Sequence, residues 1–238
     1  MANIYFEFKE FIIYQDKCAM KVGTDGVLLG AWTDAGNAES ILDIGTGTGL
    51  LALMLAQRNK KARITGIEIE SDAALQATGN TEKSRWGNRI TIINIGFQDF
   101  IKQFPDKFDL IVCNPPYFVN SKKAPDEKRT VARHNDSLPV GSLVYGVSKC
   151  LSETGKFSVI IPSGLDREII EEAYIRHLYC AKILNIRPTR KLPVKRKMLE
   201  FRKEKTTCFE SELMIQNEMR NGYSSEYINL TRNFYLNF

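Results

Sequence analysis

The run Ile41-Leu42-Asp43-Ile44-Gly45-Thr46-Gly47-Thr48-Gly49 leaves a chain few ways to fold. Ser40 to Ile44 is a short, mainly apolar segment of the kind that forms a buried strand. Three alternate glycines follow at once, and Leu50, Leu51, Met54 and Leu55 then fall on one face of a helix from Leu50 to Gln57. A strand, a turn largely without Cβ atoms and a helix open a parallel βαβ unit. Glycines at such a turn let the backbone bend sharply and approach a ligand closely. Two alignments compete. From Gly47 the run Gly47-x-Gly49-x-x-Ala52 fits the dinucleotide fingerprint, but that fingerprint puts its first glycine directly after the strand, and here that glycine is Gly45. From Gly45 the pattern is acidic-x-Gly-x-Gly-x-Gly, with Asp43 as the acidic residue.

The alternation continues. Strands are expected at Arg63–Ile69, Ile90–Ile95, Phe108–Cys113, Phe157–Ile161, Ile183–Ile186 and Met198–Phe201, with Cys208–Gln216 a candidate for one more. Helices are expected from Ser71 to Gly87, Leu143 to Leu151, Asp166 to Tyr179 and Ser225 to Leu236, with Gly155 turning the second of these into its strand. Asp25-Gly26 reads as a turn. The pattern is that of an α/β fold, a mainly parallel sheet with helices on both faces. Nothing repeats and no linker divides the chain. One domain over 1–238 is expected, with an N-terminal extension at 1–39 and a core at 40–238. Val119 to Pro139 is a polar stretch too long for a plain connection.

Three acidic residues stand at the C-terminal ends of these strands, where open parallel sheets bind ligands. They are Asp43, Glu68, and Asp99 in Gly96-Phe97-Gln98-Asp99-Phe100. A carboxylate at Glu68 suits the two hydroxyls of a ribose. By residue chemistry alone Asp99 caps the helix before Phe104. After the fourth strand comes Asn114-Pro115-Pro116-Tyr117. Two prolines stiffen the backbone and remove two amide donors, so a carbonyl is presented in a fixed direction. The asparagine adds a second acceptor and the tyrosine a flat ring, a set suited to a planar amine.

Charge is unevenly spread. The chain carries +5, but Arg187 to Lys205 alone carries +7, leaving −2 for the rest. Five scattered cysteines form no CxxC spacing, and His134 and His177 are far apart, so neither a disulfide framework nor a metal site is expected. No apolar run approaches a membrane span, and the first residues lack the pattern of a secretory leader. A cytoplasmic monomer is the expectation.

The glycine loop with Asp43 resembles motif I of class I S-adenosylmethionine methyltransferases. Asn114 to Tyr117 resembles motif IV of the relatives that methylate exocyclic or amide nitrogen. Over the whole chain, the run Lys21 to Trp32, the segment Phe118 with Ala132-Arg133-His134, and the ending Phe234 to Phe238 resemble the bacterial tRNA1(Val) adenine-N6 methyltransferases. The resemblance implies a Rossmann-like, mainly parallel seven-stranded sheet and S-adenosylmethionine as cofactor. It implies methyl transfer to adenosine 37 of a tRNA, with neither metal nor membrane as partner. Cofactor contacts would come from Thr24, Asp43, Gly45, Thr46, Gly47, Gly49, Glu68, Asp99 and Asn114. Catalysis would rest on Asn114, Pro115, Pro116 and Tyr117, the asparagine oxygen and the Pro115 carbonyl accepting the two N–H groups while Tyr117 stacks on the base. RNA phosphates would meet Arg190, Lys191, Lys195 and Arg196 at one turn and Lys122, Lys123 and Arg133 in the polar stretch. A glutamine-N5 protein methyltransferase, an rRNA or DNA adenine methyltransferase, an oxidoreductase and a non-catalytic RNA-binding module are the competing readings.

Overall fold

The computed structural model describes residues 3–115, 138–217 and 222–238. The N-terminal extension folds first into a small hairpin, β1 (Tyr5–Glu7) paired antiparallel with β2 (Ile12–Tyr14), and then into α1 (Thr24–Trp32). It is no loose appendage. Val27, Leu28 and Leu29 are wholly buried, each contributing roughly 1.5–3 kcal/mol by leaving water. Asp25-Gly26 lies in the first turn of α1 instead of forming a separate turn, because this buried apolar run needs a helix to pack.

From residue 40 the alternation is as the sequence suggests. The order is β3 (Ser40–Ile44), α2 (Leu50–Arg58), β4 (Arg63–Glu68), α3 (Ser71–Glu82), β5 (Ile90–Asn94), α4 (Phe97–Gln103) and β6 (Phe108–Cys113). After the second described stretch begins come α5 (Val140–Cys150), β7 (Leu151–Pro162), α6 (Asp166–Ile175), β8 (Tyr179–Arg187), β9 (Arg196–Arg202), β10 (Phe209–Met214) and α7 (Ser225–Thr231).

Among the described residues the sheet has eight strands where seven were expected, in the order β10-β8-β9-β7-β6-β3-β4-β5. The eighth is β10, which pairs in parallel with β8 from Phe209 opposite Lys182 to Met214 opposite Arg187. Its polar face explains its place: Glu210 accepts from Asn185 (2.6 Å) and Glu212 from Arg187 (2.6 Å), so an edge position leaves no charge buried. Strand β9 runs antiparallel to both neighbours, β7 and β8. Other boundaries also move. Gly155 lies inside β7, at the register shift between β6 and β7, and α7 stops at Thr231, short of Leu236. Helix α6 ends at Ile175, where His177 takes a left-handed φ of 58°.

Two apolar cores cover the two faces. One gathers Val27 to Leu29, Leu50 to Ala56, Ile160, Met198 and Phe234; the other gathers Phe97, Phe100, Leu143, Val147, Phe157, Leu199 and Phe201. Between them the C-terminal ends of β3, β4, β5 and β6 meet at one edge.

Candidate active site

Three glycines shape the first wall. Gly45, Gly47 and Gly49 hold φ values of 68°, 56° and 82°, in the left-handed region that L side chains seldom adopt. The Gly45 and Thr46 amides both donate to the Ile67 carbonyl (2.9 Å each), which fixes the loop to the end of β4. A Cβ at Gly45 or Gly47 would meet nothing within 4 Å, so the loop presents bare backbone to open space.

Asp43 lies beneath this loop and not in the cavity wall. It is wholly buried; its Oδ2 accepts from the Thr46 hydroxyl (2.6 Å), and its Oδ1 has no hydrogen-bond partner among the described residues. Burial pushes its carboxyl up to about 7, against the opposing pull of the Thr46 hydroxyl and the Ala52 amide and with a further push from Glu68. Glu68 ends β4 and does line the cavity, 8% exposed. Its Oε2 accepts the Gly47 amide (2.9 Å) and its Oε1 the Glu70 amide (3.1 Å). Each carboxylate oxygen has two lone-pair sites, so each keeps one for a hydroxyl.

The cavity between these groups measures about 530 Å³, a usual size for a nucleotide-sized ligand. Gly45 to Thr48, Leu50 and Leu51 form one side, and Ile67 to Glu70 another. Ile95, Phe97 and Gln98 close one end, and Cys113, Asn114 and Pro115 the other. The remaining wall, Lys17 to Gly23, is a strap from the N-terminal extension. Two amide side chains one turn apart on α3 hold it down. Gln76 accepts the Lys17 amide (2.7 Å) and donates to Asp16 (3.2 Å). Buried Asn80 accepts the Tyr14 amide (3.0 Å) and donates to the carbonyls of Tyr14 and Thr48 (2.9 Å each), joining β2, which leads into the strap, to the glycine loop.

Several residues sit differently from the sequence expectation. Asp99 does not line the cavity; its carboxylate pairs with Lys102 (2.9 Å) on the exposed side of α4. Gln98 lines the cavity in its place, because α4 begins at Phe97 and each residue turns the side chain by about 100°. Thr24 is exposed at the start of α1, while Gly23 and Gly26 reach the cavity. Cys18, one of the scattered cysteines, is in the wall. Burial pushes its thiol up to about 11, aided by Glu68 and Asp16, so it is a neutral thiol at neutral pH. No sequence signal marks Cys18, Gln76 or Asn80, whose contacts cross dozens of residues.

Asn114 and Pro115 line the cavity directly after β6, both partly buried. Gly26 packs against the asparagine: a Cβ there would lie 3.7 Å from Asn114 Nδ2 and 3.0 Å from Leu50 Cδ2. Pro116, Tyr117, Lys122, Lys123, Arg133 and His134 lie outside the described residues. Arg190, Lys191 and Lys195 are exposed on the turn between β8 and β9, and Arg196 starts β9 half-buried, at the same sheet edge.

Among the described residues, no group of three or more His, Cys, Asp or Glu side chains could hold a metal ion, and no helix is long and apolar enough to cross a membrane. The donor set does fit a nucleoside carrying positive charge. It offers a carboxylate with two open sites, bare loop backbone, an apolar wall and an orphaned carboxylate oxygen behind the loop.

Comparison with known proteins agrees. A family model described as the methyltransferase small domain matches residues 20–178. A Bacteroides thetaiotaomicron protein is 48% identical over 99% of both chains, and one from Trichodesmium erythraeum is 45% identical over 100% of both. Each is named tRNA1(Val) (adenine(37)-N6)-methyltransferase. Among solved structures, a predicted O-methyltransferase from Agrobacterium tumefaciens superposes with a TM-score of 0.69 at 18% identity, covering 88% of this chain and 96% of its own. Pyrococcus horikoshii TYW2 in complex with MeSAdo gives 0.58 at 16%, covering 84% and 71%. The distant structures establish the class I methyltransferase fold.

Proposed function

The chain belongs to the tRNA1(Val) (adenine(37)-N6)-methyltransferase family, and on that premise we propose that it methylates the N6 amine of adenosine 37 in that tRNA. The observation that carries the reading is that Asn114 and Pro115 line the same cavity as Glu68. When bound, S-adenosylmethionine supplies a methyl group on an electrophilic sulfonium.

The chain's own residues do the rest. Glu68 would accept from the ribose hydroxyls through the lone pairs left by the Gly47 and Glu70 amides. Phe97, Ile69 and Gln98 would give the adenine of the cofactor its apolar and polar wall, and the strap from Lys17 to Gly23 would help to shut water out of the cavity. An adenine amine is a poor nucleophile because its lone pair is delocalised into the ring. Acceptors aimed at both of its protons stabilise the positive charge that grows on nitrogen as it attacks. The Asn114 side-chain oxygen and the Pro115 carbonyl are those acceptors in this reading, and Tyr117 offers a ring face to a base turned out of its stack. The proton is lost to water once the nitrogen has become cationic, so no tuned general base is required. Arg190, Lys191, Lys195 and Arg196, together with Lys122, Lys123 and Arg133, hold the RNA backbone without reading its sequence.

The test is incubation with methyl-labelled S-adenosylmethionine and, separately, total tRNA, ribosomal RNA, DNA and a glutamine-bearing release factor, followed by nucleoside analysis. Label in tRNA as N6-methyladenosine is expected. Label in the release factor, in ribosomal RNA or in DNA would keep the cofactor site and overturn the substrate.

A further inference from the structure

We propose that Cys180 and Cys208 form a reversible disulfide site, oxidised by a peroxide, that ties the edge strand β10 to β8. The two stand 28 residues apart and make no spacing pattern, yet the Cys208 thiol donates to Cys180 Sγ across 3.7 Å. Cys208 is exposed, directly before β10, and Cys180 is half-buried in β8. The inference holds whatever the chain methylates, because neither cysteine lines the cavity.

A bulge brings the two sulfurs to one side of the sheet. Cys180 stands opposite Phe201 of β9 and Lys182 opposite Glu200, so Ala181 is the extra residue. Phe201 and Glu200 are successive and face opposite ways, and their partners Cys180 and Lys182 therefore do so too. In a regular strand two residues so spaced would share a face. Across the other edge of β8, Phe209 stands opposite Lys182 and takes its side. Cys208, one residue earlier, falls on the side of Cys180. Adjacent strands lie about 4.8 Å apart, within the Cα separation of roughly 4.4–6.8 Å that a disulfide spans.

The other three cysteines, Cys18, Cys113 and Cys150, are buried, which leaves Cys208 as the thiol an oxidant reaches first. Burial, with Cys208 beside it, pushes the Cys180 thiol well above its ordinary range, so Cys180 acts second. The Cys208 sulfur attacks a peroxide oxygen, the O–O bond breaks and water leaves, giving a sulfenic acid. The Cys180 sulfur then attacks that sulfur. An S–S bond forms, the S–O bond breaks, and the Cys180 proton leaves with the hydroxide as water. Two thiols lose two electrons in all, and one hydrogen peroxide becomes two waters. The link closes a loop around the basic turn and β9, which restricts the unfolded chain and pins β10.

The test treats the full chain with hydrogen peroxide, maps its peptides by mass spectrometry without reductant, and records Tm before and after. A peptide linking Cys180 to Cys208 is expected, lighter by two hydrogens, with Cys18, Cys113 and Cys150 still open to alkylation after unfolding. Tm should rise by about 5 °C and return to its starting value with dithiothreitol. Cys208→Ser, at an exposed site, should fold normally and show neither link nor shift. Cys180→Ser should leave Cys208 as a sulfenic acid that dimedone traps; without that adduct the order of steps is overturned. An unmodified pair, Cys208 carried on to sulfinic or sulfonic acid, a link between two chains, or a different cysteine pair would overturn the site. A linked form with unchanged or lower Tm, or the same rise in Cys208→Ser, would overturn the tie to β10.

Discussion

Two sets of charges meet at the same edge of the sheet and are held in different ways. At the ends of β3 and β4, Asp43 and Glu68 are buried, and their partners are local backbone and the Thr46 hydroxyl. At the turn from β8 to β9, Arg190, Lys191 and Lys195 are exposed, and Arg196 and Lys197 are half-buried against acids from two helices. The first arrangement fixes oxygen positions to within a fraction of an ångström and carries a desolvation cost, which suits one small ligand of constant shape. The second leaves charge in water with exchangeable partners, which suits a polyanion whose phosphates release counterions as they bind. Asn114 stands where the two meet.

The largest effect should come from that junction. Asn114→Ala removes an acceptor that matters most as charge develops, so kcat should fall about 10²- to 10³-fold while calorimetric binding of S-adenosylmethionine persists. A proportional loss of binding would place Asn114 wholly on the cofactor side of the comparison.

Next is the tie between the N-terminal hairpin and the glycine loop. Asn80→Ala deletes three hydrogen bonds of a buried amide, and leaves the Tyr14 and Thr48 groups short of partners. A loss of about 2–4 kcal/mol is expected, read as a Tm drop of roughly 5–10 °C, with cofactor affinity weakened about tenfold. The tRNA KM at saturating cofactor should stay near the wild-type value.

Asp43 gives a pH signature of smaller size. Its folded pKa is raised from 3.8 to about 7, so the folded chain keeps a proton that the unfolded chain has already released. Stability from the neutral carboxyl is full below about pH 4 and is lost as pH rises towards 7. Asp43→Asn should flatten this dependence, raising Tm of the cofactor-free protein at pH 8 by on the order of 5 °C. Its affinity for the cationic cofactor should fall. Parallel Tm curves for the two proteins between pH 5 and 8 would contradict the buried-carboxyl account.

The smallest effect separates neighbours on α4. Gln98→Ala should weaken cofactor binding a few-fold, whereas Asp99→Ala, which loses only an exposed pair with Lys102, should leave it unchanged. The reverse result would return Asp99 to the adenine.

What the sequence made legible follows from the range of the interactions involved. The glycine loop, Glu68 and Asn114-Pro115 are local: each sits at the end of its own strand, so period and spacing locate them. Asp99 was displaced by one residue because helix starts are defined by cap geometry, which Gly96-Phe97 does not announce. Gln76 and Asn80 read as ordinary polar positions on a helix. Their partners, Lys17, Tyr14 and Thr48, become neighbours only when the N-terminal hairpin folds across α3. The eighth strand was ambiguous for a related reason, since the polar alternation of β10 makes sense only beside Asn185 and Arg187.

The central claim is that buried Glu68 in the cavity wall holds the cofactor and the basic turn between β8 and β9 does not. Calorimetric titration of S-adenosylhomocysteine into the wild type, Glu68→Gln and Arg196→Ala tests it in one experiment. Loss of the Glu68 charge should weaken binding at least about tenfold, with Arg196→Ala indistinguishable from wild type. Wild-type affinity in Glu68→Gln, or an equal loss in Arg196→Ala, would contradict the division of labour between the two regions.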